Sequence, residues 1–143
     1  MIVVIEKHLA EMRQHGERDY PFECCGFLLG RFHDNGQRTV VATYAISNAR
    51  EEAAKRDRFL IRPEEHMRGE KYARSQGLDI IGCYHSHPDD RAVPSQYDLD
   101  HAWPTYSYIV MAVEQGQAAD LRSWQMKPDR SEFEEEELAI ADF

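Results

Sequence analysis

The chain has 143 residues, 42% hydrophobic and 30% charged, which suits a single globular domain with its own apolar core. A formal net charge of −9 weighs against nucleic acid or an anionic membrane as a partner, since both are polyanions, and fits either salt adaptation or high solubility. Three cysteines, two of them adjacent, make a poor disulfide framework. With no bilayer-length apolar run and no basic leader, they point to a cytoplasmic location.

Ile5, Leu9 and Met12 recur at helical spacing, which predicts a first helix over residues 5–14 that stops near Gly16. The apolar run Cys25–Phe32 reads as a buried strand, and Asp34-Asn35-Gly36 as the turn that follows it. A second strand is expected over residues 39–46, a polar loop over 48–57 and a short strand over 59–61. Pro63 suits a first helical position, Glu64 and Glu65 favour a helix N-terminus, and Gly77 suits a stop, so a second helix is expected over residues 63–76. Residues 78–85 read as a central strand, and residues 95–103 as a short helix ended by Pro104. Two more strands follow over residues 106–113 and 118–126, joined around Gly116, and the tail over 132–140 reads as an edge strand. Helices interleaved with strands imply a layered α/β domain built on a central sheet.

The chemistry gathers where the central strand ends. Side chains on a strand alternate faces, so His85 and His87 point the same way and can reach one ion. Asp98 supplies a third ligand if the helix beginning at Ser95 folds back over the strand end. Three ligands leave a coordination position open, and an open position on zinc lowers the pKa of a bound water towards ~7. A hydrolase of this kind also needs a base, and Glu23, just before the first apolar strand, is the candidate.

Glu23-Cys-Cys-Gly-Phe-Leu-Leu-Gly30, His85-Ser-His-Pro88 and Ser95-Gln-Tyr-Asp98 together resemble the JAMM (MPN+) metalloprotease family: an upstream glutamate, then H-x-H-P, six residues and S-x-x-D. The resemblance extends over residues 5–124. It implies a single three-layer, cytidine-deaminase-like domain over residues 1–143, α/β (α+β) in class, with a mixed central sheet flanked by helices. It implies one zinc ion held by His85, His87 and Asp98. Glu23 becomes the general base and then acid, and Ser95 a donor to the developing oxyanion. Members of the family cleave peptide or isopeptide bonds after the C-terminal Gly-Gly of ubiquitin-like proteins. A short chain of this kind resembles the prokaryotic branch that acts on ubiquitin-like sulfur-carrier proteins.

Plainer readings stand beside these. Ser95-x-x-Asp98 is also a helix capping box, and Glu23 could be an acid favoured by a helix dipole. Cys83 shares a strand face with the histidines and stands where the family often carries a bulky tryptophan. A small buried residue lining the site is preferred there over a thiolate ligand. His101, one turn beyond Asp98, is either a substrate-side group or a solvated histidine. Cys24 and Cys25 read as packing residues, and residues 134–137 as a solvated acidic face. A non-catalytic MPN-type scaffold is the competing function, although such members usually lack a ligand. Barrel-type H-x-H hydrolases need about 250 residues, and the zinc deaminases use H-x-E with P-C-x-x-C, neither of which occurs.

Overall fold

A computed structural model of the chain describes residues 1–47 and 61–141. In chain order the elements are β1 (Ile2–Ile5), α1 (Glu6–Asp19), β2 (Cys25–Phe32), β3 (Arg38–Ile46), α2 (Pro63–Ser75), β4 (Asp79–Pro88), α3 (Gln96–Asp100), β5 (Ser107–Glu114), β6 (Gln117–Met126), β7 (Phe133–Glu136) and β8 (Leu138–Ala141). The strands form one mixed sheet in the order β7-β6-β5-β4-β2-β3-β1-β8. The pairs β1/β3, β1/β8 and β4/β5 are parallel and the others antiparallel. With α1 on one face and α2 on the other, this is the expected three-layer α+β domain. Among the described residues no helix is long and apolar enough to cross a membrane.

The two faces separate two cores. On one, Leu9 and Met12 of α1 pack against Ile2, Leu28, Tyr84 and Ile109. On the other, Ala73 of α2 packs with Phe27, Ile80, Cys83 and Tyr108. Helix α1 buries His8, Leu9, Met12, His15 and Gly16, a stripe at helical spacing. It therefore does not stop near Gly16 but continues to Asp19. Gly16 is a packing position: a Cβ there would lie 2.5 Å from the Met111 Cε atom, so the missing side chain lets the helix press on β5. Helix α2 behaves as expected, with Pro63 in its first turn, and Gly77 beyond its end has φ +69°.

Two further expectations change, and two fall largely outside the described residues. The sequence reading assigns no strand to Ile2–Ile5, which pairs with both β3 and β8. The expected strand over 59–61 lies outside the described residues except for Ile61, which is not in a strand, and the loop over 48–57 lies outside them altogether. Helix α3 ends at Asp100 rather than at Trp103.

The tail is also not one edge strand. Its first half, β7, pairs with β6, and its second half, β8, pairs with β1 at the opposite edge of the sheet. Only Glu137 separates the two. Eight strands laid flat at ~4.8 Å spacing would put those edges roughly 34 Å apart, far beyond the reach of one residue. The sheet must therefore curl until its edges meet, around α1. Ile2 N–H donates to the Glu137 carbonyl at 2.9 Å across the seam. Glu136, expected on a solvated face, instead accepts the Ser123 hydroxyl at 2.7 Å and the Gln125 amide, and lies 3.7 Å from the Met1 amino group.

Candidate metal and catalytic site

The site forms at the C-terminal end of β4. A register shift against β2 leaves Leu28 opposite Gly82 and Leu29 opposite Ile80. Beyond this bulge the two-residue period is regular. Cys83 faces the α2 side with Phe27, and Tyr84 faces α1 with Leu9 and Met12. His85 and His87 follow the parity of Cys83. Both are buried.

Three donor atoms converge. His85 Nε2, His87 Nε2 and Asp98 Oδ2 are each 3.2 Å from the other two. Ligands on a tetrahedral ion with bonds of 2.0–2.1 Å are about 3.3–3.4 Å apart, so the triangle already has the dimensions of one face of a zinc coordination sphere. His87 Nδ1 lies 2.9 Å from the Arg91 carbonyl, which can only accept, so Nδ1 carries a proton and Nε2 can present its lone pair. Glu23 is buried, and one of its carboxylate oxygens lies within 4.8 Å of the two imidazoles. Glu23, His85 and His87 therefore also form a group that could hold a metal. Asp98 Oδ2, at an equal 3.2 Å from both imidazoles, has the spacing of a third ligand. The Glu23 carboxylate borders the same donor group from the loop before β2.

Asp98 is held in place by its own helix. Ser95 Oγ accepts from the Asp98 amide at 3.1 Å, and Asp98 Oδ2 accepts from the Ser95 amide at 2.8 Å, a complete capping box. Capping uses an oxygen lone pair of Ser95, so the exposed hydroxyl keeps its proton to donate. The capping and oxyanion readings of Ser95 are compatible.

The charges respond to one another. Burial pushes the Asp98 carboxyl up, but the imidazoles of His85 and His87 and the Ser95 amide more than offset it, leaving Asp98 well below the usual carboxylate range. Burial pulls His87 down, while hydrogen bonding to Asp98, its charge and the Arg91 carbonyl raise it, and the net shift is upward. Burial raises Cys83 far out of the thiolate range and pushes Cys24 up to about 12. Both are buried free thiols in their neutral form. Cys83 lines a cleft at the site, and among the described residues the group that could hold a metal, Glu23 with His85 and His87, does not include it, which favours its packing reading.

Ser86, between the histidines, points the opposite way. Its hydroxyl accepts from the Cys24 amide at 2.8 Å, and its own amide donates to the Cys24 carbonyl at 3.2 Å. It thereby ties the residue after Glu23 to the strand that carries the imidazoles. Strand parity alone signals that Ser86 faces away from the ligands, but its partner is 62 residues away. Likewise, nothing in the sequence announces that Arg91 would lend its carbonyl to His87. His101 lines the cleft, stacked on Tyr97 with ring centroids 4.1 Å apart, and its Nδ1 donates to the Tyr97 carbonyl at 2.9 Å.

Residues 6–127 match the family model described as prokaryotic homologs of the JAB domain, and the chain belongs to that family. Over 103 residues it is 38% identical to a protein of Haloferax volcanii named Desampylase, covering 71% of this chain and 70% of that one. A solution structure of a protein from Desulfitobacterium hafniense superposes with a TM-score of 0.86 at 30% identity, covering 100% of this chain and 94% of that one. A JAB1/MPN domain protein from Archaeoglobus fulgidus superposes with a TM-score of 0.61 at 17% identity, covering 99% of this chain and 100% of that one, which shows the shared fold.

Proposed function

We propose that this protein is a zinc-dependent peptidase or isopeptidase that hydrolyses the bond after the C-terminal glycine of a ubiquitin-like, sulfur-carrier protein. The observation that carries the reading is the 3.2 Å triangle of His85, His87 and Asp98 donors with the Glu23 carboxylate beside it. The 38% identity to the Desampylase of Haloferax volcanii supports the hydrolytic class and the ubiquitin-like substrate.

His85, His87 and Asp98 would hold one zinc ion, and Glu23 and Ser95 would act on the substrate. The ion, when bound, supplies a nucleophilic hydroxide at neutral pH and polarises the scissile carbonyl. Glu23 takes the proton released by the attacking water and returns it to the leaving amine. Ser95 donates a hydrogen bond from its hydroxyl to the developing oxyanion, a contact whose loss typically costs about 2.7–4 kcal/mol of barrier. A diglycine tail fits because its residues carry no side chain to obstruct a narrow approach to the site. Three buried free thiols suit a reducing compartment, so the cytoplasm is the proposed location.

The test uses Glu23→Gln. The variant is expected to keep stoichiometric zinc and lose hydrolysis of diglycine-linked conjugates, read by mass spectrometry with a chelator control. Full activity of that variant would remove Glu23 from the reaction.

A further inference from the structure

A cleft of about 380 Å³ opens directly beside the donor triangle and shares His85 and Asp98 with it. That volume lies in the range of small-molecule and side-chain pockets. Its floor is Cys83, flanked by Phe27 and Tyr108, and its rim carries Met67 of α2 and Trp103. Among its described lining residues there is no lysine, arginine or glutamate, and the one carboxylate is Asp98.

The wall is built rather than incidental. Trp103 is 53% exposed, yet its amide donates to the Tyr108 hydroxyl at 2.6 Å and its ring stacks on His66 at 4.8 Å and 17°. An exposed indole fixed by its backbone and by a stacked ring presents apolar area with little entropy left to lose on binding. Met67, 69% exposed, faces the same opening with a flexible thioether chain. Cys83 keeps the floor open: a large side chain at this position would occupy the space between Phe27 and Tyr108.

The proximity to His85 and Asp98 limits what can enter. A group in this cleft belongs to a residue at or next to the scissile bond. On the acyl side of a diglycine substrate those residues have no side chains. We infer that the cleft receives the apolar group borne on the leaving amine, an aliphatic or aromatic side chain of the residue after the bond, or the methylene stem of an isopeptide-linked lysine. This rests on the proposed function and specifies the part of the substrate that it leaves open. Among the described lining residues a carboxylate there would meet no lysine or arginine, so acidic leaving groups are expected to be poor substrates.

Synthetic peptides in which Gly-Gly is followed by Leu, Phe, Gly or Asp, and one with Gly-Gly linked to a lysine Nε, are compared on the zinc-loaded protein. The expected result is kcat/KM at least about tenfold higher for Leu and Phe than for Gly or Asp, the scale at which apolar pockets discriminate. The lysine arm distinguishes an isopeptide stem from an α-linked side chain. Cys83→Trp, which fills the floor, is expected to bring the Leu-to-Gly ratio towards one. Met67→Asp, on the exposed rim, keeps the test valid if Cys83→Trp fails to fold. Separately, N-acetyl-leucinamide should bind the metal-free protein at least about tenfold more tightly than N-acetylglycinamide, followed by the Trp103 indole signal in NMR. A flat leaving-group profile, or a preference untouched by both variants, overturns the inference while leaving the hydrolase reading intact. If none of the peptides is cleaved, the hydrolase reading fails, and discrimination between the two amides then decides whether the cleft is an apolar site.

Discussion

Ser86→Ala separates the scaffolding of the site from its ligands. The substitution deletes one hydroxyl at a fully buried position and leaves His85, His87 and Asp98 unaltered. The Cys24 amide, buried and 2.8 Å from that hydroxyl, loses its acceptor. A buried donor left unsatisfied costs about 1–3 kcal/mol. With an unfolding entropy of about 2.1 cal/mol/K per residue over 143 residues, this corresponds to a fall in Tm of roughly 3–10 °C. The functional effect should be larger than the thermal one suggests, because Cys24 directly follows Glu23. A shift of the base by about 1 Å can cost on the order of 100-fold in rate, so kcat on a diglycine-linked peptide is expected to fall 10- to 100-fold with KM little changed. Zinc content, measured by mass spectrometry, should remain one per chain. Melting followed by circular dichroism and steady-state hydrolysis on the same preparations complete the assay. A variant that melts several degrees lower but keeps full kcat would refute the idea that Ser86 positions Glu23. An unchanged melting temperature would refute the accounting for the Cys24 amide.

His87→Ala should abolish stoichiometric zinc binding, because it removes one corner of the donor triangle; full zinc retention would refute its assignment as a ligand. In the metal-free protein, the lowered Asp98 carboxyl adds stability above its unfolded pKa of about 3.9, and this is lost as pH falls further. The raised His87 adds stability that is complete below about 6.5 and is lost as pH rises through its higher folded value. The difference in Tm between the metal-free protein and metal-free Asp98→Asn should therefore peak between about pH 4 and 6.5, and a difference constant from pH 4 to 9 would contradict this. Zinc should reverse the trend by stabilising more at higher pH, because it binds deprotonated ligands. Gly26→Ala places a Cβ 2.3 Å from the Tyr84 ring, whose hydroxyl bonds His15 at 2.7 Å. Overpacking of this kind costs about 1–3 kcal/mol, which chemical denaturation would detect as a lower midpoint with an unchanged slope.

The site was more legible in the sequence than the sheet that carries it. Strand parity alone put His85 and His87 on one face, and Ser95 with Asp98 spelled a capping box that the structure contains. These are local patterns, decided within a few residues. What the sequence hid is set by distant partners. Gly16 reads as a stop because glycine usually is one, but here it is where Met111 presses on the helix. Ile2–Ile5 is too short to announce itself, and becomes a strand because β3 and β8 are on either side of it. The tail carries one strand-like pattern, but nothing local shows that its two halves change partners at Glu137. The aromatic wall of the cleft is equally non-local, since His66 and Trp103 meet from α2 and from the turn after α3.

The seam at Glu137 has a consequence for the order in which the molecule can be made. Strand β1 is synthesised long before one of its two partners, β8, which spans residues 138–141. Strands β2 to β6, with the candidate site at the end of β4, can pair before that, while the two open edges wait for β7 and β8 to be made. A chain stalled or clipped before residue 133 therefore holds its histidines in place but exposes β1 and β6 as unpaired templates for other chains. Closure of the sheet thus depends on residues 133–141, far in sequence from His85, His87 and Asp98.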